Sequence, residues 1–231
     1  MAAKAKDYRI WFQSHRLAWG LILIVIFSIL RFIQTAAWRQ WFGSPDFQES
    51  LPFALFLLFW FIVISIGLIV GGIVRWAGTS WRELGWKSTG LPKAIGMGLL
   101  GFVLLYVNVI AWSILKGNAE PPETFVPSLA RLLLAAFFAF GLPAWTEENL
   151  FRGYLQPLLA GKMNIWLAVV VQAAIFSAAH LGYSSHLTEF GSAFTAGLIL
   201  GWLRGRESSL VAPFIAHGLF WMMGAFMVIP T

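Results

Sequence analysis

Leu17 to Trp38, Leu51 to Trp76 and Pro92 to Leu115 are three apolar runs in close succession, each longer than the roughly 20 residues an α-helix needs to cross a bilayer. Few folds accept runs of that length. In lipid every backbone N–H and C=O must be satisfied within the segment, so these stretches are predicted to form helices packed on one another, not an open sheet. A fourth run, Val126 to Trp145, carries Arg131 and reaches Pro143, and helix-compatible residues continue from Glu147 to Gly161. An interior proline removes one helical hydrogen bond and crowds the preceding turn, so this fourth helix is predicted to be kinked or re-entrant. Three more runs follow: Asn164 to Leu181, Leu187 to Leu203 and Leu210 to Ile229. The expected fold is all-α, a polytopic transmembrane helical bundle of about seven spans, with residues 1–231 as a single membrane domain.

Composition narrows the function. At 59% hydrophobic and 11% charged residues, with mean hydropathy +0.75, the chain lies outside the range of soluble domains. The net charge of +6 does not point to nucleic acid, because the basic residues sit between apolar runs and form no patch. They read as topology signals. Lys4, Lys6, Arg9 and Arg16 precede the first run, and Arg75, Arg82, Lys87 and Lys93 surround the loop after the second. The loop between the third and fourth spans carries Glu120 and Glu123, and that between the sixth and seventh carries Arg204 and Arg206. Basic loops stay cytoplasmic, so the N-terminus is expected inside and the C-terminus outside, with a bacterial plasma (inner) membrane as the location.

The basic N-terminus is followed by an apolar run too long for a removable signal peptide and without a small-residue cleavage site, so it is expected to remain as a helix. Without cysteine there is no disulfide framework, thiolate metal site or cysteine nucleophile. Trp38, Trp41, Trp76, Trp81 and Trp86 lie near span ends, where an indole buries its rings and keeps its N–H wet, and are read as interfacial anchors. Gly197, Gly201 and Gly205 repeat a GxxxG spacing that lets another helix approach closely, read as packing within the bundle.

Ionisable groups inside apolar helices cost a few kcal/mol each, so they tend to face a cavity and pair with one another. Glu147, Glu148 and Arg152 lie on the fourth run, His180 near the end of the fifth span and His217 in the middle of the seventh. Glu148 and Arg152 are four apart and share a helix face, which suits an ion pair. Glu147 then points about 100° away and is left to act as a proton acceptor. The bland alternative for the two carboxylates is a solvated helix end beyond Pro143, and for His180 an interfacial, hydrogen-bonded histidine. An unpartnered His217 within a span would be hard to explain without function.

These residues resemble a known family. Glu147-Glu148-Asn-Leu-Phe-Arg152 matches the EExxxR motif of the CPBP (CAAX protease/Abi) family of intramembrane proteases, and Phe176-Ser-Ala-Ala-His180 matches its FxxxH motif. Gly197 to Arg204, Ser208 to Leu210 and Pro213 to His217 resemble its final stretch, so residues 142–224 form a CPBP-like catalytic core region. One position departs: Trp221 stands four after His217, where the family pattern has Asn or Asp. Asn149 and Glu189 are candidates to replace that donor.

The resemblance implies an intramembrane endopeptidase that hydrolyses a peptide bond of a membrane-associated or lipid-anchored substrate with a glutamate-activated water. The implied catalytic set is Glu147, Glu148, Arg152, His180 and His217: Glu147 as general base, His180 sharing the water and His217 donating to the oxyanion. No cofactor is expected. Zinc on Glu147, His180 and His217 is the second choice, although no HExxH pattern is present. Expected partners are a peptide or protein substrate and the lipid bilayer, with no nucleic acid. The alternative reading is a catalytically weak or inactive family member serving as a membrane immunity or scaffold partner, for which Trp221 is the best support. Serine and aspartyl mechanisms are disfavoured, since neither a Gly-x-Ser-x-Gly elbow nor a facing Asp pair is present, and no internal repeat supports a transporter.

Overall fold

The computed structural model describes residues 11–12, 14–42, 51–117, 126, 128–180 and 187–223, and within them the chain is helical without strands. Helix α1 is Arg16–Phe42. Helix α2, Leu51–Ile66, runs on as a π-helical stretch, Gly67–Trp76. A four-residue helix, α3 (Trp81–Leu84), precedes α4 (Leu91–Leu115). Helix α5 begins as Leu129–Ala139 and continues through Phe140–Ala144, Trp145–Glu147, Glu148–Leu155 and Gln156–Ala160. Then come α6 (Ile165–Ala178), α7 (Leu187–Glu207) and α8 (Val211–Met222).

Arg16–Ile33, Phe59–Trp76 and Leu91–Leu115 are long and apolar enough to cross a membrane. In each of these windows a third or fewer of the residues are buried, and Val25, Ile29, Phe32, Leu99, Val103 and Val107 present their side chains outward. Such a surface is unfavourable in water and natural in acyl chains, so the chain is an all-α membrane bundle. Ile165–Ala178 and Val211–Met222 are apolar but shorter. The charges Lys4, Lys6, Arg9, Glu120 and Glu123, and the expected end of the last span at Ile229, lie outside the described residues.

Pro143 does not break the fourth helix. It sits in the π-helical segment Phe140–Ala144, where the wider turn accommodates the missing N–H, and the helix continues to Ala160. At about 1.5 Å per residue this passage is long enough to set Glu147 well inside the bundle and not at a solvated end. Helix α7 extends past the expected Leu203 to Glu207, so Arg204 is a helix residue and not a loop residue. It donates from Nε to Arg152 O at 3.1 Å and from Nη2 to Leu84 O at 3.4 Å, tying α3, α5 and α7 together.

Helix α8 packs along α4, and α7 along α6. Close approach is made by small residues: a Cβ on Gly98 would meet Ile215, and one on Gly101 would meet Leu203 and Ala216. The GxxxG face of α7 is likewise internal, with Gly197 against Ala173 and Gly201 against Gln172 and Val169 of α6. Gly85 ends α3 at φ 103°, a left-handed conformation in which its carbonyl receives Leu210 N–H at 2.9 Å and fixes the start of α8. Trp76 and Trp81 are exposed as interfacial anchors would be, whereas Trp86 turns inward, packing on Trp145 and Phe214.

Candidate active site

The chemistry-bearing segment of α5 is buried on every side. Thr146, Glu147, Glu148, Asn149, Leu150, Phe151 and Arg152 are all 0% exposed. A regular helix with one lipid face could not hide seven consecutive residues. This one can, because α1, α6, α7 and α8 surround it and because π-helical turns flank the Trp145–Glu147 segment. π-turns inserted in α-helices often occur at functional sites. Here they bring two adjacent carboxylates into the same interior.

Glu148 is closed off at one oxygen, while its Oε2 makes no hydrogen bond among the described residues. Its Oε1 accepts from Arg152 Nη1 at 3.0 Å and lies 2.7 Å from His217 Nδ1. The i,i+4 pair read from the sequence is thus present, and His217 is joined to it. The Arg152 guanidinium is pressed to the Phe176 ring, 4.1 Å from its centroid, which supplies a cation–π contact where water is excluded.

Glu147 is different. Its Oε2 stands 3.6 Å from His180 Nε2 and 3.7 Å from His217 Nε2, and its Oε1 stands 3.4 Å from Arg31 Nη2. Neither oxygen makes a hydrogen bond among the described residues. The two imidazole separations are too long for direct bonds and suit a water molecule between the groups, while Arg31 meets Oε1 as an ion pair without hydrogen-bond geometry. The three residues expected from sequence to meet, Glu147, His180 and His217, therefore face one another from three helical passages.

The two histidines are oriented from behind. His180 Nδ1–H donates to Phe176 O at 2.7 Å, and the rings of these residues are 4.3 Å apart. That spacing explains why Phe and His stand four apart: one turn of helix supplies both the acceptor and the packing face, and Nε2 is turned to Glu147. His217 Nδ1–H donates to Glu148, which leaves Nε2 with its lone pair, and Trp221 Nε1–H donates to that nitrogen at 2.9 Å.

Beside the histidines lies a cavity of ≈ 200 Å³ between α4, α6, α7 and α8. His180, His217 and Trp221 line it together with Asn108, and Lys116 and Glu189, 3.8 Å apart, also border it. Among the described residues no group of three or more His, Cys, Asp or Glu side chains is arranged to hold a metal ion.

Two residues stand differently from the sequence reading. Asn149, a candidate to replace the missing amide, is fully committed elsewhere: its Oδ1 accepts from Trp86 Nε1 at 2.9 Å and its Nδ2 donates to Trp145 O at 2.7 Å. Arg31 was not singled out, yet it reaches Glu147 from α1. The available signal was its charge in the middle of an apolar run, which deserves the same suspicion as Glu147.

Residues 129–223 match the family model of type II CAAX prenyl endopeptidases, described as Rce1-like. The match takes in every motif residue from Glu147 to Trp221 and stops short of α1 to α4. It bears out the family resemblance over that stretch: residues 129–223 are similar to the Rce1-like domain, which is consistent with the CPBP/CAAX protease family. None of the curated proteins and none of the solved structures compared with the chain matches it.

Proposed function

Proceeding from the Rce1-like domain at residues 129–223, we propose that this protein is an intramembrane endopeptidase in which a Glu147-activated water cleaves a peptide bond of a membrane-associated or lipid-anchored substrate. One observation carries the reading: a fully buried carboxylate, without a hydrogen bond at either oxygen, faces two oriented imidazoles beside a cavity. A buried polar group left this way is costly, and the natural occupant of the gap is the water the reaction needs.

Glu147 Oε2 takes one proton from that water while His180 Nε2, whose proton sits on Nδ1, accepts a hydrogen bond from its other O–H, and the resulting hydroxide attacks the carbonyl carbon. The carbonyl π electrons move to the oxygen, which becomes an oxyanion. Trp221 Nε1–H, released from His217 Nε2, serves as its donor in place of His217, whose Nε2 carries no proton while Nδ1–H donates to Glu148, and Trp221 stands where the family pattern has Asn or Asp. His217 then anchors this end of the site through Glu148. Collapse of the intermediate breaks the C–N bond, and the proton held by Glu147 passes to the leaving amine.

Zinc fits this donor set poorly. The Nε2 lone pair that His217 would offer a metal already receives the Trp221 N–H. Positive charge is also supplied at the carboxylates by Arg31 and Arg152. We take the side of the bundle that carries Arg16, Arg75 and Arg82 to face the cytoplasm, a reading the basic residues there support, with a bacterial plasma membrane as the proposed location.

The test is cleavage of a fluorogenic lipidated peptide by the purified protein in vesicles. Glu147→Ala and His180→Ala proteins that still fold are expected to be inactive; full cleavage by both ends the proposal. The second reading, a catalytically silent membrane immunity or scaffold partner, is favoured by the same indole bond, which occupies His217 when no substrate is present. Trp221→Asn separates the two. A rise from zero activity marks a degenerate relative, and a fall from measurable activity makes Trp221 part of the working site.

A further inference from the structure

The family match begins at residue 129 and so assigns nothing to the first helix. Yet α1 carries a cation into the centre of the bundle. Arg31 is 5% exposed, and its guanidinium carbon lies 5.7 Å from the Phe61 ring centroid, 5.8 Å from Trp221 and 6.0 Å from Phe27. Its Nη2 is 3.4 Å from Glu147 Oε1. A buried cation on an apolar helix needs such partners, because aromatic faces and a carboxylate are what replace its water.

The arrangement divides Glu147 between two duties. Arg31 takes Oε1, and the imidazoles of His180 and His217 take Oε2. A carboxylate can rotate about its terminal torsion, which is broad and roughly two-fold. A fixed guanidinium at one oxygen stops that rotation and leaves the other aimed at the histidines. Trp221 links the halves, since its ring faces Arg31 while its N–H serves His217.

We propose that Arg31 is a positioning residue of the hydrolase: it holds Glu147 by Oε1 so that Oε2 meets the attacking water, which makes the N-terminal helix part of the catalytic machinery. This rests on the function proposed above. The competing account is an ion pair that only joins α1 to α5. That account predicts loss of stability without a specific loss of turnover.

The experiment uses the full chain in vesicles with the fluorogenic lipidated peptide and compares wild type, Arg31→Gln, Arg31→Lys, Glu147→Gln and the doubles of each Arg31 variant with Glu147→Gln. For Arg31→Gln, kcat is expected to fall about 100-fold with KM within about threefold, as for a group that acts only through the base. Arg31→Lys, which keeps the charge on a different head, is expected between the two. Neither Arg31 change is expected to lower the residual rate of Glu147→Gln, because its partner is already gone.

Turnover by Arg31→Gln close to wild type overturns the inference, as does an Arg31 effect of equal factor in the wild-type and Glu147→Gln backgrounds. Should Arg31→Gln fail to fold by thermal melting, Arg31→Lys decides on the same criterion: slowed only while Glu147 is present supports the role, and slowed equally or not at all in both backgrounds overturns it. If Glu147→Gln cleaves like wild type, the hydrolase reading itself fails. If that variant is inactive and Arg31→Gln is active, only the role of Arg31 is lost.

Discussion

Glu147 and Glu148 are neighbours in sequence, equally buried, and occupy opposite situations. Glu148 sits in a network closed at one oxygen, with Arg152 and His217 within 3.0 Å of Oε1 and only Oε2 left without a hydrogen bond among the described residues. Glu147 sits in an open one, where the Arg31 guanidinium and both imidazoles stand at 3.4 Å or more. On the proposed reading the difference is one between structure and chemistry. A carboxylate whose partners are in contact has its orientation fixed, while one held at arm's length has room to admit a water. Neither residue alone would make the point, since both bring the same functional group to the same depth.

Exchanging each carboxylate for its amide tests that division. Glu147→Gln keeps size and shape, and the expected loss is catalytic, about 100-fold or more in kcat, with the melting temperature close to wild type. Glu148→Gln is expected to do the reverse first: Arg152 loses its buried counter-charge, and stability falls by about 3 kcal/mol or more, read as lower folded yield and melting temperature in detergent. If the two variants behave alike, the contrast between closed and open networks is wrong.

The next position along the helix sharpens it. Asn149 belongs to the closed side through Trp86 and Trp145. Asn149→Leu leaves a buried indole N–H without its acceptor and is expected to cost about 2 kcal/mol while kcat of the folded fraction stays near wild type. A large fall in kcat instead would make Asn149 the stand-in for the missing family amide.

The smallest effect is expected outside the chamber. Glu83 forms a capping box with Ser80 at the start of α3, and the Ser80 backbone N–H at 2.6 Å, followed by the Ser80 hydroxyl, holds its carboxyl below the ordinary value of 4.5. A carboxyl with a lowered folded-state pKa adds stability above its unfolded pKa, and that stability is lost as pH falls through the folded value. Glu83→Gln should abolish this acid-dependent part, at most about 0.5 kcal/mol for so exposed a group, visible as a flatter melting temperature in the acid range. No change in that profile would show that the box contributes nothing to the turn.

Much of the site was legible because its local geometry repeats on helical spacing. Glu148 with Arg152, and Phe176 with His180, are i,i+4 pairs, and a helix of any sequence brings such residues together. The inward turn of Trp86 and the use of Asn149 were not legible, since they depend on a contact between α3 and α5 that no local pattern encodes. Arg31 was overlooked for a related reason: a single arginine in a hydrophobic run is formally tolerable near a membrane surface, and only packing decides that it faces Glu147.

By itself the sequence determined the solvent and the class of structure. Apolar runs of bilayer length leave the backbone no acceptor but its own carbonyls, so helices and a bundle followed from composition and spacing. Which buried charges meet across helices was decided by tertiary structure alone. The π-helical turns around Trp145–Glu147 aim both carboxylates inward, and the packing of α1 and α8 on α5 then gives one of them contact partners and the other only distant ones. Hydrophobicity sets how deep a residue lies, but it is indifferent to direction. The direction of each charged group comes from the specific side chains that fill the space around it.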